Sequence, residues 1–182
     1  MYVTLFFDGG VSELMLSKSN KHLMHRFMEL MNSASPDQAL ATDLISPSAL
    51  FHVPGRPTAL LGPTGYLTVL QLLRSGFPDI QWTLEDLVVE ETRAAARFTV
   101  RGTHLGPFLG VAATGKTIDL KSIGFYRLVG GQVLEEYVQP DLATYLRVIN
   151  PAAGRRRAPR VGIQEAICRN RSSLAFRYAR ES

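Results

Sequence analysis

The runs IQWTLEDLVVEETRAAARFTVRGT, residues 80–103, and TIDLKSIGFYRLVGGQVLEEYVQ, residues 117–139, decide the fold of this chain. Both carry a period of two. Ile80, Trp82 and Leu84 alternate with Gln81, Thr83 and Glu85, which predicts a strand to about Glu90. Arg93 to Thr103 forms a second strand, with Ala94, Ala96, Phe98, Val100 and Gly102 on one face and Arg93, Arg97, Arg101 and the threonines on the other. Thr117 to Leu128 is a third, and Gly130-Gly131 turns it into a fourth, Gln132 to Gln139. Leu142 to Val148 then reads as a short closing helix.

Upstream of this meander the period is 3.6. Gly62-Pro63 opens a helix carrying Leu67, Leu70, Gln71 and Leu73 that Gly76 and Pro78 stop. Before it, Ala49 to Val53 is a short strand closed by Pro54-Gly55. Ser35-Pro36-Asp37 starts a helix to about Leu44, with Ser35 as N-cap and Pro36 at the first position. Leu23, Met24, Phe27, Leu30 and Met31 form one stripe of an earlier helix, capped by Ser19 or Asn20. Met1 to Phe7 reads as a strand and Asp8-Gly9-Gly10 as a turn. Helices followed by a long meander make an α+β domain, with the helices packed across one face of a curved antiparallel sheet. A twisted sheet of long strands curls and leaves a concavity that suits a small, largely apolar ligand. The boundaries are an N-terminal extension at 1–18, the domain at 19–150 and a tail at 151–182.

The charge divides at the same place. The whole chain is +4 and its pI is about 9.5, but residues 151–182 hold eight arginines against Glu165 and Glu181. The body is therefore mildly acidic, and the basic tail reads as a weakly ordered, solvated appendage, with contact to RNA or phospholipid as the less favoured alternative. Cys168 is the single cysteine, which excludes an internal disulfide and a cysteine-only zinc site and makes a reducing cytoplasm the expected location. The apolar stretch Tyr2 to Phe7 is too short for a membrane span or a secretory core.

Four catalytic signatures are missing: a dinucleotide fingerprint, a phosphate loop, a nucleophile elbow and a paired-histidine metal helix. Thr114-Gly115-Lys116 reads as a hairpin turn. What remains is polar groups on faces that look into the concavity. His104 lies on the apolar side of its strand, either as a structural histidine or as a pocket group. Ser122 and Gly124 leave room in the middle of the third strand, whose inner face runs Ile118, Leu120, Ser122, Gly124, Tyr126 and Leu128. Strict alternation gives Val133, Glu135, Tyr137 and Gln139 one face of the last strand, with Asp141 just beyond. Asp141 is then either the N-cap of the closing helix or a general acid/base, since a carboxylate at an apolar cavity mouth has a raised pKa. Trp82, Phe98 and Phe125 are candidates for the apolar wall, and His52 is a further candidate binding residue.

An ordered set of segments then carries a resemblance. Phe51-His52-Val53-Pro54-Gly55, Gly62-Pro63, Phe77-Pro78-Asp79 with Trp82, the run from Arg101 to Gly110, Thr114-Gly115-Lys116, Phe125-Tyr126-Arg127, Gly130-Gly131 and Glu135-Glu136-Tyr137 with Asp141 follow in sequence. Together they resemble the SnoaL-like polyketide cyclase, or ester cyclase, family of the nuclear transport factor 2-like superfamily. The resemblance spans residues 19–150. It implies a cone of curved sheet with helices across its mouth, a homodimer or higher homo-oligomer, and no metal or organic cofactor. It also implies an aspartate acid/base near the end of the last strand, matched here by Asp141, with His104 as a polar group of the pocket. The family's histidine on the penultimate strand is absent, since Ser122, Ile123 and Gly124 stand there. The expected function is a cofactor-independent cyclase or isomerase for a small carbonyl or ester metabolite. In it Asp141 takes a proton, and His104 and Tyr137 bond the resulting enolate. A non-catalytic small-ligand-binding protein is the alternative, separated by whether product forms. Epoxide hydrolysis would need an aspartate–arginine–aspartate set that the sequence does not show.

Overall fold

A computed structural model describes residues 9–149, with side chains from residue 15. The element order is α1 (Gly9–Asn32), α2 (Gln38–Leu44), β1 (Ile45–His52), β2 (Leu60–Leu61), α3 (Gly62–Gly76), β3 (Gln81–Val89), β4 (Arg93–Thr103), β5 (Thr117–Val129), β6 (Gln132–Pro140) and α4 (Leu142–Ile149). The six strands form one sheet in the order β2-β1-β6-β5-β4-β3. From β3 to β6 the sheet is the expected antiparallel meander, and β1 joins it by pairing parallel to β6. The fold is α+β, with helices on one face.

Period-2 patterning sets the inner face. In β5 every even residue from Ile118 to Leu128 is buried and every odd one is exposed. Gly130 and Gly131 both take positive φ, 59° and 76°, and close the β5–β6 hairpin as their sequence suggested. The stripe of α1 is also as read: Leu23, Met24, Phe27, Leu30 and Met31 are all buried. Each such side chain contributes roughly 1.5–3 kcal/mol on full burial.

Four local readings change. The first helix starts at Gly9 rather than at a cap near Ser19, so α1 runs unbroken through residue 18. A helix nucleated by its packed half extends outward at one hydrogen bond per residue, which overrides a weak turn signal. Asn20 is not a cap; its buried side chain donates to Glu90 O and Glu91 O at 3.3 and 2.7 Å, fastening α1 to the β3–β4 turn. At the other end of α1, Asn32 holds the Trp82 backbone, accepting from its N–H at 2.8 Å and donating to its carbonyl at 2.9 Å. The cap of α2 is Asp37, whose carboxylate accepts from Ala39 N and Leu40 N, in place of Ser35. Finally β1 begins at Ile45, with Pro47 inside an irregularity of its pairing with β6, where a missing N–H costs no ladder bond. The strand read at Met1 to Phe7 and the tail 151–182 lie outside the described residues.

No helix among the described residues is long and apolar enough to cross a membrane.

Candidate active site

The concavity between the sheet and the helices is a cavity of about 160 Å³. Phe51, Trp82, Val100, Ile118 and Leu120 line it from the sheet, and Leu72 and Leu73 from α3. The β4–β5 loop covers it with Phe108 and Leu109, at a tight turn closed by reciprocal Phe108 and Val111 backbone bonds of 2.9 Å. The polar side chains in this wall are Ser122, Glu136, Tyr66 and Tyr145.

Glu136 reaches the cavity through a break in alternation. Leu128 pairs with Val133 but Arg127 pairs with Glu135, so β6 carries one extra residue there, a β-bulge. A bulge exchanges the faces of everything beyond it. Val133 is inward as expected, but after the bulge Glu136, Val138 and Pro140 line the cavity, while Glu135, Tyr137 and Gln139 face outward. Glu136 is only 5% exposed. Burial pushes its carboxyl up to about 7, opposed by the neighbouring Tyr126 hydroxyl. That hydroxyl faces the carboxyl without reaching full hydrogen-bond geometry, so it is a partial offset only. Tyr66 is wedged between Phe27 and Phe51, with ring centroids at 4.8 and 4.6 Å. Burial raises its ionisation well above the usual range, and the Glu136 charge adds to the effect. The Tyr145 hydroxyl is buried without a hydrogen-bond partner among the described residues, its ring set edge-on to Phe77 and Phe108.

The residues singled out from sequence are spread over three environments. Trp82 is in the cavity wall, its ring 6.0 Å from the Arg74 guanidinium. Phe98 is fully buried in the core but does not line the cavity. Phe125 and Tyr137 are 60% and 53% exposed on the outer face of the sheet, so neither forms the wall nor reaches an enolate inside. For Phe125 the alternation of β5 already implied this; for Tyr137 the bulge is the cause. His52 lies on the same outer face, stacked on Tyr137 at 3.9 Å and 3.1 Å from Glu135 Oε1.

His104 is fully buried on the inner side, but behind the wall. Its ring stacks on Phe77 at 5.1 Å, its Nδ1 lies 3.0 Å from Thr114 Oγ1, and its Nε2 has no partner among the described residues. Burial lowers its pKa, so the imidazole is neutral at pH 7. Its backbone ties the loop: N–H donates to Lys116 O, and its carbonyl accepts from Thr114 N and Gly115 N.

Asp141 is outside the cavity. Its carboxylate accepts the Thr144 N–H at 2.9 Å at the start of α4, and it lies in a shallow surface groove with Arg97, Lys121 and Gln139. The bonds from Thr144 hold its carboxyl below the usual range, opposite to what a general acid at neutral pH needs. It is the N-cap that its position before a helix allowed. Glu136 is the carboxylate that sequence reasoning passed over, because only the cross-strand pairing distinguishes it from Glu135.

Among the described residues no group of three or more His, Cys, Asp and Glu side chains is arranged to hold a metal ion.

Residues 21–149 match the family model for SnoaL-like polyketide cyclases. The chain is 27% identical over 135 residues to the aklanonic acid methyl ester cyclase DnrD of Streptomyces peucetius, covering 71% of this chain and 90% of that one. In structure it superposes on a SnoaL-like protein of Jannaschia sp. CCS1 with a TM-score of 0.66 at 23% identity, over 74% of this chain and 93% of that one. TsrD of Streptomyces laurentii gives 0.63 at 26% identity, over 73% and 96%. The chain belongs to the SnoaL-like polyketide cyclase family.

Proposed function

We propose that this chain closes a ring within a small, largely apolar carbonyl or ester of the polyketide type, with Glu136 moving the proton. The observation that carries the reading is a buried carboxyl group, the one such group among the described residues of the wall, with its pKa raised to about 7 in a largely apolar cavity. A carboxylate so placed takes a proton from the carbon α to a carbonyl, and the bond's electrons pass to the carbonyl oxygen as an enolate. Tyr66, in the same wall, is the donor available to that oxygen. The enolate carbon then attacks a second carbonyl of the same molecule, forming the new C–C bond. The resulting alkoxide recovers the proton from Glu136, so the product is an isomer of the substrate. The aklanonic acid methyl ester cyclases to which the chain is similar support a methyl ester as the activating group.

Aklanonic acid methyl ester is the first substrate to test, with ring closure followed chromatographically and proton abstraction by deuterium uptake at the α carbon. Glu136→Gln is expected to lower kcat by about 10²-fold or more, while Asp141→Asn stays near wild type. Full turnover by Glu136→Gln, or its loss in a folded Asp141→Asn, overturns the assignment. Tight binding with no product in the wild type returns the chain to a ligand-binding role.

A further inference from the structure

Tyr126 makes a contact that only glycine at position 124 allows. A Cβ on Gly124 would collide with the Tyr126 hydroxyl oxygen and stand 2.8 Å from Cε2 and Cζ of the ring. The phenol therefore lies back along its own strand, with its hydroxyl where the side chain of residue 124 would be. Tyr126 pairs directly with Glu136 and Gly124 with Val138, so this hydroxyl sits on the inner face beside the Glu136 carboxyl. It is buried and has no hydrogen-bond partner among the described residues, although buried hydroxyls nearly always find one. The groups packed around Glu136 offer few alternatives. Tyr66 comes from α3 and Tyr126 from β5, whereas β1 supplies Phe51 and α1 supplies Phe27, which touches both tyrosines. Glu136 has no ion pair among the described residues.

We infer that Gly124 and Tyr126 together position Glu136: the absent side chain at 124 lets Tyr126 aim its O–H at the Glu136 carboxylate and fix its orientation. The inference rests on Glu136 being the proton-handling group. Tyr126 is not in the cavity wall, so it acts through Glu136 and does not touch substrate. A hydroxyl donates more strongly to a carboxylate than to the neutral acid, so the pair closes when Glu136 ionises and relaxes when it takes a proton.

The test is a side-chain ¹³C NMR titration of Glu136 in the intact chain, which needs no substrate. The wild-type midpoint is expected near 7. Tyr126→Phe keeps the ring but removes the donor, and is expected to raise the midpoint by about one unit. Gly124→Ala displaces the phenol and is expected to do the same in the wild-type background but add nothing to Tyr126→Phe. The acid limb of kcat/KM should move with the midpoint, which a merely structural contact would not produce. A wild-type midpoint at the ordinary glutamate value overturns the role of Glu136 itself. A midpoint near 7 that Tyr126→Phe leaves unchanged overturns the positioning role alone. Should Gly124→Ala not fold, Tyr126→Phe still decides.

Discussion

Glu136→Gln tests the buried carboxylate through stability, independently of any reaction. In the unfolded chain the carboxyl titrates near 4.5, and in the folded chain at about 7. Below pH 4.5 both states hold the proton, and the site does not weaken the fold. As pH rises through this window the unfolded chain ionises first and gains free energy that the folded chain cannot match. Native stability therefore falls between about pH 4.5 and 7, then levels off. The difference in pKa corresponds to a loss of about 3 kcal/mol. Glutamine has nearly the same shape and no charge, so the variant lacks this slope. The assay is urea unfolding of both proteins at pH 4.5 and pH 8. Carboxylates with lowered pKa, such as Asp79 and Asp141, give the opposite slope in both proteins and cancel in the comparison. The variant should match wild type within about 1 kcal/mol at pH 4.5 and exceed it by about 3 kcal/mol at pH 8. At an m-value of about 2 kcal/mol/M the latter is a midpoint shift of roughly 1.5 M urea. A difference that does not change between the two pH values refutes the burial argument.

Two further outcomes follow from the placements. His104→Ala removes a fully buried ring stacked on Phe77 and the Thr114 bond that helps hold the loop over the cavity, and should cost about 2–3 kcal/mol in urea unfolding. A cost below about 0.5 kcal/mol would mean that the loop is held by its backbone alone. Phe125→Ala, on the exposed outer face, should change stability by no more than about 0.5 kcal/mol and leave kcat and KM unaltered, as steady-state assays and urea unfolding can verify.

Most of the architecture was legible because it rests on local pattern. The strand Arg93–Thr103 begins and ends where its alternation does, and the stripe from Leu23 to Met31 is the buried face of α1. The site was less legible. Asp141 had two uses, and the bonds it accepts from the first turn of α4 assign it to the cap. His104 was placed on the correct face, but which ring stands between it and the cavity depends on Phe77, about thirty residues away in sequence. The parallel pairing of β1 with β6 joins segments more than eighty residues apart, and no periodicity within either strand encodes it.

By itself the sequence determined the α+β class, the meander, the Gly130-Gly131 hairpin, the inner faces of β4 and β5, and the confinement of excess positive charge to the tail. Those features depend on side-chain period and turn chemistry, which each segment carries alone. Tertiary structure decided which carboxylate enters the cavity. Glu135 and Glu136 are adjacent and chemically alike, and a one-residue bulge set by pairing with β5 turns Glu136 inward and leaves Tyr137 in solvent. That choice is made across strands, by the register of hydrogen bonds between β5 and β6, so no reading along β6 alone could reach it.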